Sequence, residues 1–106
     1  MANPVNDLSK VGSITFWMTF LHSDWATNDK GYKFPEKRSG PIVINASKEP
    51  DGTVRIEIDG PFNKTFQFMA QIPECGEKGL FVAITWEKKE VLLYLNGQHV
   101  ETKKSA

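Results

Sequence analysis

An alternation of period two runs through most of the chain and leaves little room for helices. In Gly12-Ser13-Ile14-Thr15-Phe16-Trp17-Met18-Thr19-Phe20, the residues Ile14, Phe16, Met18 and Phe20 alternate with Ser13, Thr15, Trp17 and Thr19. Successive strand residues point to opposite faces, so this spacing predicts a half-buried strand with Trp17 on its outer side. Ile42, Ile44 and Ala46 share a face in the next run, after a Gly40-Pro41 turn signal. Pro50-Asp51-Gly52 predicts a turn in which Pro presets φ and Gly accepts a positive one. Val54, Ile56 and Ile58 then form an inward set, which sends Arg55, Glu57 and Asp59 to the other face. Phe66, Phe68, Ala70 and Ile72 repeat the pattern as far as Pro73.

Two further runs, Leu80 to Trp86 and Val91 to Leu95, are apolar on both faces and are joined by the charged turn Glu87-Lys88-Lys89-Glu90. Strands of this kind sit in the middle of a packed sheet. Asn96-Gly97 is a strong hairpin signal, and Gln98 to Thr102 is expected to return as another strand. Six or seven short strands with frequent turns and no helical period predict an all-β, antiparallel β-sandwich. Residues 22–41 carry no sustained period and are expected to form a long loop, the kind of segment that commonly holds function.

With 106 residues the chain is expected to form one sandwich domain over 1–106, with frayed ends at 1–11 and 103–106. Thirteen basic side chains balance 13 acidic ones, so no global field draws the protein to nucleic acid or to a membrane surface. The single cysteine, Cys75, has no partner for a disulfide in the chain and no Cys or His at metal-ligand spacing. Met1 to Lys10 has neither a basic n-region nor an apolar h-region, which predicts a cytoplasmic protein as written, or an extracellular one if the chain is an excised domain. No apolar run reaches membrane-spanning length.

Val82-Ala83-Ile84-Thr85-Trp86, the charged turn, and Val91-Leu92-Leu93-Tyr94-Leu95-Asn96-Gly97-Gln98-His99-Val100 together resemble the concanavalin A-like lectin/glucanase (laminin-G-like) superfamily. Its recurring text is V-A-V-T-W, a short turn and V-x-L-Y-V-N-G-x-x-V, and Gly12 to Met18 resembles the F-T-I-S-F-W-V strand before it. The resemblance implies a jelly-roll-like sandwich in compact form and carbohydrate as the ligand. Gly79-Leu80-Phe81 stands where the family usually has a Trp-His pair before the Val-Ala step. The family's domains are commonly longer, so outer strands would be missing here, and self-association through a strand edge or sheet face is the expected remedy.

Sugar-cleaving members of that superfamily carry a strand reading like E-x-D-x-E, three carboxylates on one face. Glu57 and Asp59 match the first two positions, and Pro61 stands at the third, the acid/base. Without a proton donor there, glycoside hydrolysis is not expected. Outward carboxylates that solvate a half-exposed strand are the alternative. His22 and His99 have no nucleophile tied to them by motif, and Asp24, Asn28 and Asp29 lack the spacing of a calcium loop. No cofactor or metal is expected.

Trp25, Tyr32 and Phe34 interleave with Asp24, Asn28, Asp29 and Lys33 in the long loop. Aromatic faces against sugar C–H surfaces, with amides and carboxylates on hydroxyls, make a carbohydrate site. The same residues suit a protein-binding patch, or fold back to cap the open end of the sandwich. Trp17 admits the same range: a groove, a dimer seal, or packing under a loop. The leading expectation is a non-catalytic, lectin-like module for oligosaccharide, with Trp17, Trp25 and Tyr32 stacking and Asp24, Asn28 and Asp29 as polar partners. The other is a self-assembling or protein-interaction domain, a homodimer or higher homo-oligomer.

Overall fold

The structure, a computed structural model, describes residues 10–19, 25, 27–73 and 79–105. Among the described residues, nine strands form two antiparallel sheets in a β-sandwich-like, all-β architecture. The first sheet has the order β1 (Gly12–Met18), β7 (Leu80–Glu87), β8 (Glu90–Leu95), β9 (Gln98–Lys104). The second runs β2 (Tyr32–Lys33), β4 (Ile42–Lys48), β5 (Thr53–Asp59), β6 (Thr65–Gln71), with β3 (Lys37–Ser39) also paired to β4. A 3-10 turn at Pro61–Asn63 is the one helical element among the described residues, so none is long and apolar enough to cross a membrane.

The expected alternation sets the core. In the second sheet Ile44, Ile58 and Phe66 lie in one cross-strand row, and Ala46, Ile56 and Phe68 in the next, all buried. The first sheet answers with the rows Ile14, Ile84, Leu93 and Phe16, Val82, Leu95. Each fully buried aliphatic or aromatic side chain contributes roughly 1.5–3 kcal/mol. Central placement of β7 and β8 agrees with their two-sided apolar character.

Two expectations change. Residues 22–41 were expected to be loop, yet they contain β2 and β3, both paired to β4. These strands have two and three residues and mostly exposed side chains. Their stability comes from backbone pairing to an edge, which leaves no hydrophobic alternation to read. At the other end β9 continues through Lys104, and the Ser105 N–H donates to the Lys89 carbonyl at 2.7 Å, so 103–105 are tied to the β7–β8 turn. The expected fraying of residues 1–9 and 106 lies outside the described residues.

Turn chemistry places the strands. Asp51 accepts from the Thr53 hydroxyl at 2.7 Å and from its N–H at 3.0 Å, which holds the Asp51 carboxyl below the usual carboxylate range. Gly79, just before β7, has φ +94°, and a Cβ there would run into the Met18 carbonyl at the end of β1. Gly52 has a similar φ of +89° with open space around it. The pair separates steric clash from backbone strain. Gly79→Ala is expected to cost about 3 kcal/mol or more and Gly52→Ala about 1 kcal/mol, measured by urea unfolding.

Candidate functional site

On β4 the inward set does not stop at Ala46: the next residue of that parity is Lys48, only 1% exposed. Burying an ammonium requires partners for its N–H groups. The chain supplies them by folding residues 28–30 over it. Lys48 Nζ donates to the Asn28 carbonyl, to Asn28 Oδ1 at 3.2 Å and to the Lys30 carbonyl at 2.6 Å. It also sits 5.7 Å from the centroid of the Tyr32 ring, within cation–π reach. Asn28 is the hub of this contact, because its Nδ2 donates to the Tyr32 hydroxyl oxygen at 2.6 Å and its Oδ1 accepts from the Lys30 N–H at 3.0 Å. Lys48 was not among the expected site residues, although the parity of Ile42, Ile44 and Ala46 points to it.

Above this anchor the outer faces of β4 and β5, bordered by β2, form a groove of about 420 Å³. Antiparallel register aligns its polar side chains in rows. Lys33, Ser47 and Arg55 are cross-strand neighbours, and Asn45 stands opposite Glu57 in the row beside them. Directly opposed residues lie about 5 Å apart, so donors and acceptors of both kinds converge within the span of a small ligand. Tyr32 lines the same groove at the β2 edge.

The two strand carboxylates part company. Glu57 lines the groove, whereas Asp59 is exposed and accepts from the Thr65 hydroxyl at 2.7 Å across the β5–β6 ladder. Pro61, two residues on, is buried at the start of the 3-10 turn. Among the described residues no group of three or more His, Cys, Asp or Glu side chains is placed to hold a metal ion.

Only part of the expected ligand set comes together. Asn28 and Tyr32 are joined as above, and Asp29 is exposed next to them. Trp25 requires a correction: it is 3% exposed, belongs to the core and meets Phe34 edge-on at 6.3 Å, so its ring faces are not open to a sugar. The physical reason is its area, which the end of the sandwich buries. Trp17 is 52% exposed on the outer face of the other sheet, 5.0 Å from the Phe81 ring. Trp17 and Tyr32 therefore belong to different surfaces. Asp24, His22 and Cys75 lie outside the described residues.

No protein-family model, curated protein or solved structure matches the chain.

The Lys48 contact is testable apart from any ligand. Lys48→Met keeps most of the buried volume but removes the ammonium; it is expected to cost about 1–3 kcal/mol. Hydrogen exchange should accelerate first at residues 28–33, ahead of the central strands.

Proposed function

We propose that the protein is a non-catalytic carbohydrate-binding module, a compact jelly-roll-like sandwich of the concanavalin A-like kind, that takes an oligosaccharide in the groove over β4 and β5. The observation that carries this reading is the convergence of Lys33, Asn45, Ser47, Arg55 and Glu57 on a groove that Tyr32 also lines. Sugars present many hydroxyls that donate and accept, and a ring face of C–H groups. Planar amide, guanidinium and carboxylate groups with one aromatic edge match that chemistry. Asn28 and Asp29 stand at the loop side as further polar partners. In this reading Trp25 supports the fold, and Trp17 lies apart from the ligand.

A jelly-roll-like path is consistent with the connectivity, since the chain leaves β1, runs β2 to β6 in the other sheet and returns to pair β7 with β1. Binding without cleavage accords with the carboxylate arrangement. Of the carboxylates near Glu57, Asp59 is engaged by the Thr65 hydroxyl and Glu49, which also lines the groove, by the Ser47 hydroxyl, while Pro61 has no proton to give.

Titration calorimetry against a panel of neutral oligosaccharides is expected to find one class that saturates. Glu57→Gln and Asn45→Ala should each weaken that binding about tenfold, by loss of hydrogen bonds to a charged or amide group. Trp17→Ala should leave it unchanged. A panel with no binder, or binding indifferent to both groove substitutions, would remove this reading.

A second reading rests on the other sheet. Its outer face carries Trp17 and Phe81 in one row and Ala83, Tyr94 and His99 in another, while the outer strand β1 holds no charged residue. Edge strands are usually blunted by charge, as β9 is here with Glu101, Lys103 and Lys104. Self-association through this face would make a homodimer. Light scattering over a dilution series should then give twice the chain mass, and Trp17→Lys should return it to that of one chain; a monomer at every concentration sinks the idea.

A further inference from the structure

At the end of the sandwich where β7 turns into β8, the chain departs from its own cheapest choice. The β8–β9 hairpin uses Asn96-Gly97, with φ of +51° and +82°. The β7–β8 hairpin has the same two-residue form but uses Lys88-Lys89, with φ of +51° and +65°. Left-handed backbone favours Gly and Asn at both positions, so local conformation does not account for two lysines there. A second left-handed pair lies nearby: Phe62 and Asn63, with φ of +55° and +56°, lead directly into Lys64.

These two turns, with Lys10 and Ser105, line one open cavity of about 470 Å³. The volume falls within the roughly 300–1,000 Å³ of small-molecule sites. Among the described residues, four of those that line it are lysines and none is acidic, in a chain whose total charge is zero. Glu87 and Glu90, which flank the lysine turn, line a neighbouring hollow beside Thr85 and Tyr94 that Lys88 also borders, so Lys88 stands between the two. Phe62 packs on the core and meets Phe66 edge-on at 6.4 Å, which supplies an apolar wall. The Ser105 N–H bond to the Lys89 carbonyl, at 2.7 Å, ties the turn to the end of β9.

We infer that this lysine-lined cavity between the turns at 61–64 and 88–89 binds a small ligand bearing two or more phosphate or sulfate groups. Lysine ammoniums are compact point charges with freely rotating donors, suited to tetrahedral oxyanions; planar carboxylates are better matched by the arginine fork. Asn63 and Ser105 add neutral donors at the rim. The site is separate from the β4–β5 groove and does not depend on the carbohydrate reading.

The decisive variant is Lys88→Asn/Lys89→Gly, which removes both charges while installing the pair the turn geometry favours. It is expected to unfold at the same or higher urea concentration than the parent. Calorimetry with inorganic tripolyphosphate and with a fully sulfated hexasaccharide should show binding by the parent that weakens with added salt. The variant should lose about tenfold or more of that affinity. Lys30→Gln/Lys37→Gln, which removes as much charge elsewhere, should retain it. Preference for tripolyphosphate would identify a phosphate-bearing ligand, and preference for the hexasaccharide a sulfated sugar. Absence of binding to both probes, or equal losses in the two double variants, would overturn the inference.

Discussion

Burial of one face of each sheet against the other is the constraint on which everything else rests. Side chains alternate along a strand, so slipping any pairing by one residue would turn Arg55, Glu57 and Asp59 inward and Ile56 and Ile58 outward. The apolar rows Ile44–Ile58–Phe66 and Ala46–Ile56–Phe68 therefore lock the register of the second sheet. The same register aligns Lys33 with Ser47 and Arg55, and Asn45 with Glu57, on the opposite face. The groove is thus a consequence of the core: its polar rows are the outward halves of strands whose inward halves are packed.

Lys48 shows how the fold treats a position where parity and chemistry conflict. Its place on β4 is inward, and its head group is charged. The conflict is resolved by bringing carbonyl oxygens of Asn28 and Lys30 to the ammonium, which commits residues 28–30 to a path across the end of β4. A few residues earlier and later, Trp25 and Phe34 pack together on the core. One segment is therefore fastened by an apolar contact and by a charged one, and Tyr32 is presented at the groove between them. A polar anchor of this kind has directional partners, so it specifies the path of the segment more narrowly than apolar packing does.

The surface that results is divided. Polar groups face outward on the second sheet, aromatic ones on the first, and lysines gather at the end where the turns at 61–64 and 88–89 meet. The aromatic face follows from β7 and β8, whose outward positions hold Phe81, Ala83, Leu92 and Tyr94 and are half-buried by one another. Net charge conceals this division, because a total of zero is compatible with a basic end.

Most of the strands, their inward sets, and the hairpins at 88–89 and 96–97 were legible in the sequence, since each is written by residues close together in the chain. Trp17 on an outer face and Glu57 with Asp59 facing away from the core follow from the same alternation. β2 and β3 were not legible, because strands of two and three exposed residues are held by an edge supplied from elsewhere. The burial of Trp25 escaped for a related reason: composition shows an aromatic in a polar loop, and only the folded sheets show the space it fills. The sequence by itself determined which residues could face inward and where the chain could turn, through pleat geometry and turn preferences that act between neighbours. The tertiary structure alone decided that β1 meets β7, that Lys48 meets Asn28, and that lysines from separate turns share one cavity. Those partners are distant along the chain, and they meet only through long-range strand pairing, side-chain contacts and the packing of the two sheets.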